Sequence, residues 1–412
     1  MHLRSGIFQK NSIHKFFDKR CFFQAFPKWI LVYFYPPRIR SAMVNETELK
    51  FQLALCLIPG VGSVTAKKLV SYCGGVEAVF RERKTTLLKI PGIGEQLSQS
   101  LLDHSVFDRA EQEMAFIKKH TIGVLFYLDK EYPARLKHCD DSPFLLFTKG
   151  NANLNAQKVV GIVGTRNMTS YGREQCNALI EGLKKHQPLI VSGLAFGVDA
   201  CAHKKSLEEG LATAGVLGHG LDRIYPAPHK QLAQRMINQG ILVTEFFSQT
   251  KPDRENFPTR NRIIAGLCDA LVVIEAASTG GALITAIAAN TYNRDVFALP
   301  GRTNDAFSKG CNWLIKSHKA CLIEDINDLE YIMGWDATQS NQKNIQRQLF
   351  VELNQEEQIM ADYLKNTQEA HIDQIVAQAG FTVSKTSTLL LQLEFKGVVR
   401  SLPGKVYKLT SA

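Results

Sequence analysis

At 412 residues the chain is long enough for more than one domain, and its 45% hydrophobic and 21% charged content excludes a disordered or fibrous protein. The net charge of +10 at pH 7 favours an acidic partner, yet the first 42 residues hold eight Lys or Arg against one Asp, leaving only +3 for the remainder. Nine cysteines (21, 56, 73, 139, 176, 201, 268, 311 and 321) include no CxxC pair, so the sequence predicts reduced, mostly buried thiols and no zinc finger or disulfide scaffold.

The first 42 residues carry ten aromatics and a Pro36-Pro37 step. Their apolar run, Trp29–Tyr35, is too short to span a bilayer, and no small-residue cleavage site follows it. Met43 then opens VNETELKFQLAL, an ordinary soluble start. The expectation is that Met43 is the true start and that 1–42 is a non-native extension.

Two related segments follow, LCLIPGVGSVTAKKLV (Leu55–Val70) and LLKIPGIGEQLSQSLL (Leu87–Leu102), 32 residues apart. Each reads as helix, Ile-Pro-Gly-apolar-Gly turn, helix: a helix-hairpin-helix unit whose glycines expose N–H groups suited to a DNA phosphate. Lys67 and Lys68 give the first copy a phosphate grip, whereas Glu95 makes the second structural. Protein contact by both copies is the alternative.

From about residue 123 to 325, short apolar runs alternate with helical patterns. The predicted strands are Val159–Val163, Leu189–Ser192, Thr213–Leu217, Ile241–Thr244, Ala270–Ile274 and Val296–Leu299, with helices near 171–186, 198–209, 229–239, 261–268, 281–293 and 310–318. Such alternation predicts a doubly wound parallel α/β sheet. The leading segment Val124–Phe147 adds a peripheral strand or two. Residues 336–349 are polar and Asn/Gln-rich, a linker, and three helical patterns with a hairpin around Pro403-Gly404 then predict a winged helix. Its third helix, Val383–Lys396, offers only Lys385 and Lys396 against Glu394, which argues against a transcription factor and for a protein contact or weak DNA clamp.

In a doubly wound sheet the functional groups gather at the carboxyl ends of strands. Here those ends read Gly164-Thr165-Arg166, Ser192-Gly193-Leu194-Ala195-Phe196-Gly197, Gly218-His219-Gly220 and Ser278-Thr279-Gly280-Gly281. Thr259 after Pro258 reads as a helix N-cap, which puts Arg260 and Arg262 in a first turn, against the helix dipole unless an anion joins them. Asp199 and His203 share a helix face without a third metal ligand, and Glu245 and Glu275 end strands without a paired nucleophile. No GxxxxGK[ST], HExxH or GxSxG string occurs. No catalytic residue, metal or cofactor is therefore assigned.

The blocks VGIVGTRNMTSYG (160–172), IVSGLAFGVDACAH (190–203), GVLGHGLDRIYP (215–226), FPTRNRIIAGL (257–267), GALITAIAA (281–289) and VFALPG (296–301) resemble the DNA-processing protein A (DprA/Smf) family. The likeness spans about 43–412 and leaves 1–42 outside. It implies an extension 1–42, a helix-hairpin-helix domain 43–112, a Rossmann-like domain 113–330, a linker 331–350 and a winged helix 351–412. The implied function is a single-stranded-DNA-binding recombination mediator that protects incoming DNA in natural transformation and loads the RecA recombinase on strands coated with single-strand-binding protein. It implies a cytoplasmic homodimer with no membrane partner, Ile284 and Ile287 being guesses for the interface. The family's phosphate pocket falls on Gly164, Thr165, Arg166, Ser192, Gly193, Lys204, Arg260 and Arg262, with Gly280 and Gly281 nearby; Lys205 is a weaker match than Lys204. The turn Ser278-Thr279-Gly280-Gly281-Ala282 departs from the Ser-Gly-Ser type expected of the family. A nucleotide-processing enzyme on a related fold is the alternative, though its PGGxGTxxE string is missing.

Overall fold

The computed structural model describes residues 46–103, 105–335 and 353–410. The expected extension with its start at Met43, and residues 336–350 of the expected linker, lie outside them.

The chain begins with α1 (Glu46–Leu57), α2 (Ser63–Cys73), α3 (Val76–Arg81), α4 (Lys84–Leu87), α5 (Glu95–Leu102) and α6 (Val106–His120). The two Ile-Pro-Gly turns adopt one conformation, Gly60 and Gly92 having φ of 85° and 88°, a region only glycine enters freely. Leu53, Leu55, Leu69, Leu87 and Leu101 are buried in a core that also takes in Phe126, Phe144 and Phe147. The helical domain and the sheet edge are thus packed as one, and α6 runs unbroken through residue 112, the expected boundary. The two lysines expected to hold a phosphate both find partners within the fold. Lys67 donates to Ser142 Oγ and lies over the Tyr127 ring, while Lys68 donates to the Pro91 carbonyl of the second hairpin. Ser63, at the start of α2, accepts the Phe144 N–H. The first hairpin faces the sheet domain through Lys67 and Ser63, while Lys68 ties it to the second hairpin.

Next come β1 (Gly123–Phe126), α7 (Ala134–Lys137), β2 (Leu145–Gly150), β3 (Val159–Val163), α8 (Ser170–Leu183), β4 (Leu189–Ser192), α9 (Val198–Glu208) and β5 (Thr213–Val216). They continue into α10 (Lys230–Gln239), β6 (Ile241–Thr244), α11 (Asn256–Leu267), β7 (Ala270–Val273), α12 (Gly281–Thr291), β8 (Asp295–Ala298), α13 (Lys309–Lys316), β9 (Cys321–Leu322) and α14 (Ile326–Met333). The nine strands form one sheet in the order β1-β2-β6-β5-β4-β3-β7-β8-β9. Strands β3 to β9 run parallel, and β1 and β2 add an antiparallel edge beside β6. β3, β4, β5, β6 and β7 are buried at every residue, as strands covered by helices on both faces must be. The six parallel strands expected from sequence are present within one residue; the short β9 and α7 were not anticipated. Helix α14 extends to Met333, three residues into the expected linker.

The last domain holds α15 (Gln355–Thr367), β10 (Glu369–His371), α16 (Ile372–Ala379), α17 (Val383–Phe395), β11 (Val399–Leu402) and β12 (Val406–Leu409). An Asn354–Glu357 capping box starts α15, and Met360, Leu364, Ile375, Leu390 and Leu393 close a small core. The hairpin turn faces the sheet domain: Gly404 is buried and donates to the Asn293 carbonyl at 3.2 Å. His371 stacks on His138 with ring centroids 5.5 Å apart. The lysines of the third helix are spent on ion pairs, Lys385 with Glu356 and Lys396 with Glu357.

Candidate nucleic-acid interface

The chain winds from β3 outward to β6, then returns to the other side of β3 to lay down β7 and β8. The switch point therefore lies between β3 and β7, where the loops leaving two neighbouring strands diverge and open a crevice. A cleft of about 320 Å³ occupies that place, lined among others by Gly164, Thr165, Arg166, Arg260, Gly280 and Gly281. Its backbone is held by main-chain bonds. Thr165 N–H donates to Glu275 O at 2.7 Å and Val198 N–H donates to Thr165 O at 3.2 Å. Gly197 has φ of 77°, and a Cβ there would lie 2.2 Å from the Thr165 carbonyl oxygen, so glycine is required for the loops to approach.

Helix α12 opens onto the cleft. Gly280 precedes it in the left-handed region at φ 145°, and no side chain caps its first N–H groups. These amides and the positive end of the helix favour an anion. Arg260 projects from the second turn of α11 and is only 5% exposed. One of its terminal nitrogens donates to Val216 O, its guanidinium lies 5.9 Å from the Phe257 ring centroid, and its Nε has no hydrogen-bond partner. Arg166 is exposed over the same ring, at 5.5 Å. The nearby carboxylate is that of Asp199, which accepts the Ala195 N–H at 3.3 Å. Burial raises the Asp199 pKa, opposed by the Arg260 charge, and burial lowers that of Arg260. The charges of Arg260 and Arg166 both act on this one buried carboxylate, so the site carries an excess positive charge.

A second pocket adjoins the first and shares Arg166, Phe257 and Arg260 with it. Its rim includes Phe196 and Tyr225, 49% and 47% exposed, the latter preceding a cis proline, Pro226. Three buried histidines hold the loops around it. His203 Nε2 donates to Gly193 O, His229 Nδ1 to Leu194 O at 2.9 Å, and His219 Nδ1 to Gly220 O at 2.9 Å. Burial, the largest cause, pushes His203 down to about 4, which keeps it neutral at pH 7.

The other residues named from sequence have different places. Ser192 is fully buried and donates to Ile162 O at 2.6 Å. Gly193 makes room for Arg260 and Asp199, whose side chains a Cβ would meet at 2.1 and 2.4 Å. Lys204 is exposed on α9 and does not line the cleft; Lys205 pairs with Glu209 and Glu181.

The expected Thr259 N-cap is corrected. Helix α11 starts at Asn256, and the Thr259 hydroxyl bonds back to Glu255 O. Pro258 fits as the third helical residue because the first four N–H groups have no intrahelical acceptor. Arg260 and Arg262 then fall about 200° apart around the helix. Arg262 consequently points away from Arg260, to the Glu245 carboxylate and the Asp141 carbonyl. Both carboxylates weighed as acids or bases are engaged: Glu245 by Arg262, and Glu275 by the N–H and hydroxyl of Thr169 at the start of α8. Sequence reasoning passed over Asp199 as counter-charge and Phe196, Tyr225 and Phe257 as an aromatic wall. The available signal was aromatics lying inside glycine-rich strand-end strings. Among the described residues no group of three or more His, Cys, Asp or Glu is placed to hold a metal, and no helix is long and apolar enough to cross a membrane.

Residues 123–333 match the family described as DNA recombination-mediator protein A. Residues 352–405 match the DprA winged helix domain, and residues 53–104 a SAM-like helix-hairpin-helix tandem. Protein Smf of Synechocystis sp. is 32% identical over 397 residues, covering 88% of this chain and 99% of that protein. The DNA processing protein DprA of Streptococcus pneumoniae is 37% identical over 248 residues, 56% of this chain and 86% of its own length. The solved structure of DNA processing protein A from the same species superposes with a TM-score of 0.57 at 33% identity, covering 70% of this chain and 97% of that one.

Proposed function

The chain belongs to the DNA recombination-mediator protein A family, and from that premise we propose that its switch-point cleft binds the backbone of single-stranded DNA. One observation carries the reading: Arg260 is 95% buried yet leaves its Nε without a partner, beside an uncapped helix start. A buried cationic donor without an acceptor is costly, and a phosphate oxygen supplies both the charge and the acceptor. Arg166, exposed at the mouth, adds a second contact. The neighbouring wall of Phe196, Tyr225 and Phe257 suits an unstacked base, which stacks on an aromatic ring whatever its identity. Binding is therefore sequence-tolerant and stronger for a single strand than for a duplex, whose bases are already stacked.

In this reading the protein acts in the cytoplasm as a homodimer, shields incoming strands during natural transformation, and passes them to RecA from strands coated with single-strand-binding protein. Family membership supports the mediator role. The exposed pair Ile284 and Ile287, one turn apart on α12 and 44% and 46% exposed, supports an apolar dimer contact. Two cleft copies on one strand gain from effective concentration, and each can be released separately. The reading assigns no nucleotide turnover: Glu275 is held by Thr169, and Glu245 pairs through one oxygen with Arg262.

The test is fluorescence anisotropy with a labelled oligothymidine and a duplex of equal length at stepped salt. Tighter binding of the single strand is expected; equal affinities overturn the cleft reading. RecA ATP hydrolysis on strands coated with single-strand-binding protein tests loading, and a lag that this protein does not shorten overturns it.

A further inference from the structure

A chain of hydrogen-bonded side chains lies at the amino ends of β3 and β4, at the opposite end of these strands from the cleft. Lys158, the residue before β3, places its Nζ 3.0 Å from Nδ1 of His186, in the turn between α8 and β4. The other ring nitrogen of His186 donates to Glu330 Oε1 on α14 at 2.8 Å, and the second carboxylate oxygen accepts from Lys185 at 2.8 Å. These partners fix the tautomer: Nε2 carries the proton, and Nδ1 accepts from the Lys158 ammonium. The His186 and Glu330 side chains are only 8% and 3% exposed. The Lys158 Nζ also lies 4.8 Å from the Trp335 ring centroid. Lysines elsewhere meet carboxylates, as Lys184 meets Glu209 and Lys385 meets Glu356. An imidazole is a base about a hundredfold stronger than a carboxylate, so the contact at Lys158 is of a different kind.

We propose that Lys158 is a nucleophilic lysine, activated by His186 and Glu330, and is a site of acylation by small acyl phosphates. A nucleophile, a base in contact with it and a third group that orients the base are the parts such activation needs. Partial burial lowers the pKa of the Lys158 ammonium, against the pull of Glu330. Burial raises that of Glu330, but the bonds from Lys185 and His186 outweigh it and hold this carboxyl below its usual range, so it stays charged to steady an imidazolium. In the reaction His186 Nδ1 takes one proton from the ammonium. The freed amine attacks the acyl carbonyl carbon, the bond from that carbon to the phosphate oxygen breaks, and the phosphate leaves with the electron pair. A second proton passes from the nitrogen to the departing phosphate, and the proton on His186 returns to solvent. One amide forms, one inorganic phosphate is released, and nothing is oxidised or reduced.

The class of donor follows from charge. Lys158 and Lys185 against Glu330 leave the cluster with an excess positive charge, and the Lys185 side chain is 58% exposed at its rim. An anionic acyl phosphate is drawn to such a surface. The acylated product loses the charge held over Trp335, which directly follows the Gly334 cap of α14. The cleft residues Gly164 to Arg166 follow the other end of β3, so this proposal does not rest on the strand-binding reading.

The full chain is incubated with acetyl phosphate, and digests taken at successive times are read by mass spectrometry for a gain of about 42 Da per lysine. Lys158 is expected to be acetylated about tenfold faster than the exposed Lys204 and Lys230. A Lys158 no faster than these two overturns the proposal. His186→Gln keeps an acceptor beside Nζ but no base; it should bring Lys158 down to the reference rate and leave Lys204 and Lys230 unchanged. Labelling of Lys158 at the wild-type rate in that variant refutes the role of His186. Circular dichroism checks its fold, and Glu330→Gln is the second variant: it should slow Lys158 in the same sense, and an unaltered rate refutes the relay. Acetyl-coenzyme A at equal concentration decides the donor, since labelling of Lys158 as fast from this thioester overturns the acyl phosphate assignment.

Discussion

The three arginines of the site region separate the structural reading from the sequence reading in one experiment. Replacing Arg166 with Ala removes an exposed guanidinium at the mouth of the cleft and breaks no hydrogen bond inside the fold that the structure shows. If it holds one phosphate, a charge-assisted contact worth roughly 1.5–3 kcal/mol is lost, or about 10- to 150-fold in affinity. The slope of log K against log salt should become shallower by ~0.7, the single-strand value per phosphate. Arg260→Ala should give the same slope change, together with a loss of stability because it leaves Asp199 buried without its counter-charge. Arg262→Ala should do the opposite. Its side chain is 15% exposed and pairs with Glu245, 12% exposed, on the far side of α11. Breaking a pair that buried costs about 3–5 kcal/mol, an upper figure here because Glu245, whose pKa burial already raises, can protonate instead. Salt-titrated anisotropy and urea denaturation on all three variants supply the readouts. A slope that changes for Arg262→Ala as much as for Arg166→Ala would refute the orientation argued from the helix phase.

Acid should destabilise the fold through His203. Its folded pKa of about 4 lies below the ordinary 6.5, so the unfolded chain takes up a proton that the folded one refuses. Stability is unaffected by this group above 6.5, falls as pH drops from 6.5 toward 4, and is lower by roughly 3 kcal/mol at the end of that window. Urea midpoints across that range should show the fall, and His203→Gln should reduce it; an unchanged profile would mean that other groups set the acid limit. Gly197→Ala should lower the melting temperature and abolish strand binding, because the new methyl carbon meets two carbonyl oxygens at 2.2 and 2.6 Å; wild-type anisotropy in that variant would show that the loops do not need this approach. Ile284→Glu with Ile287→Glu should yield a monomer by light scattering with strand affinity lowered but not lost. A dimer that survives both charges places the interface elsewhere.

Sequence alone determined the elements and their order. The strands of the parallel sheet were readable because short apolar runs bounded by glycine turns are what a strand covered on both faces requires, and the rule for strand ends located the cleft at Gly164–Arg166 and Gly280–Gly281. Those are local signals, carried by residues near one another in the chain. Tertiary structure alone decided which side chains face the cleft. Arg260 and Arg262 look equivalent in sequence, but two positions two apart in a helix point about 200° apart, and only the packing of α11 decides that Arg260 faces the cleft and Arg262 faces Glu245. Lys67 and Lys68 look free, yet Ser142 and Pro91, distant in sequence, offer them oxygens. The hairpin turn at Pro403-Gly404 looks open to solvent, and its Gly404 is buried and donates to the Asn293 carbonyl. Each of these outcomes is fixed by a partner that no local pattern encodes: the periodicity of a segment specifies its shape, while the direction in which its charges point is settled only when another segment arrives to meet them.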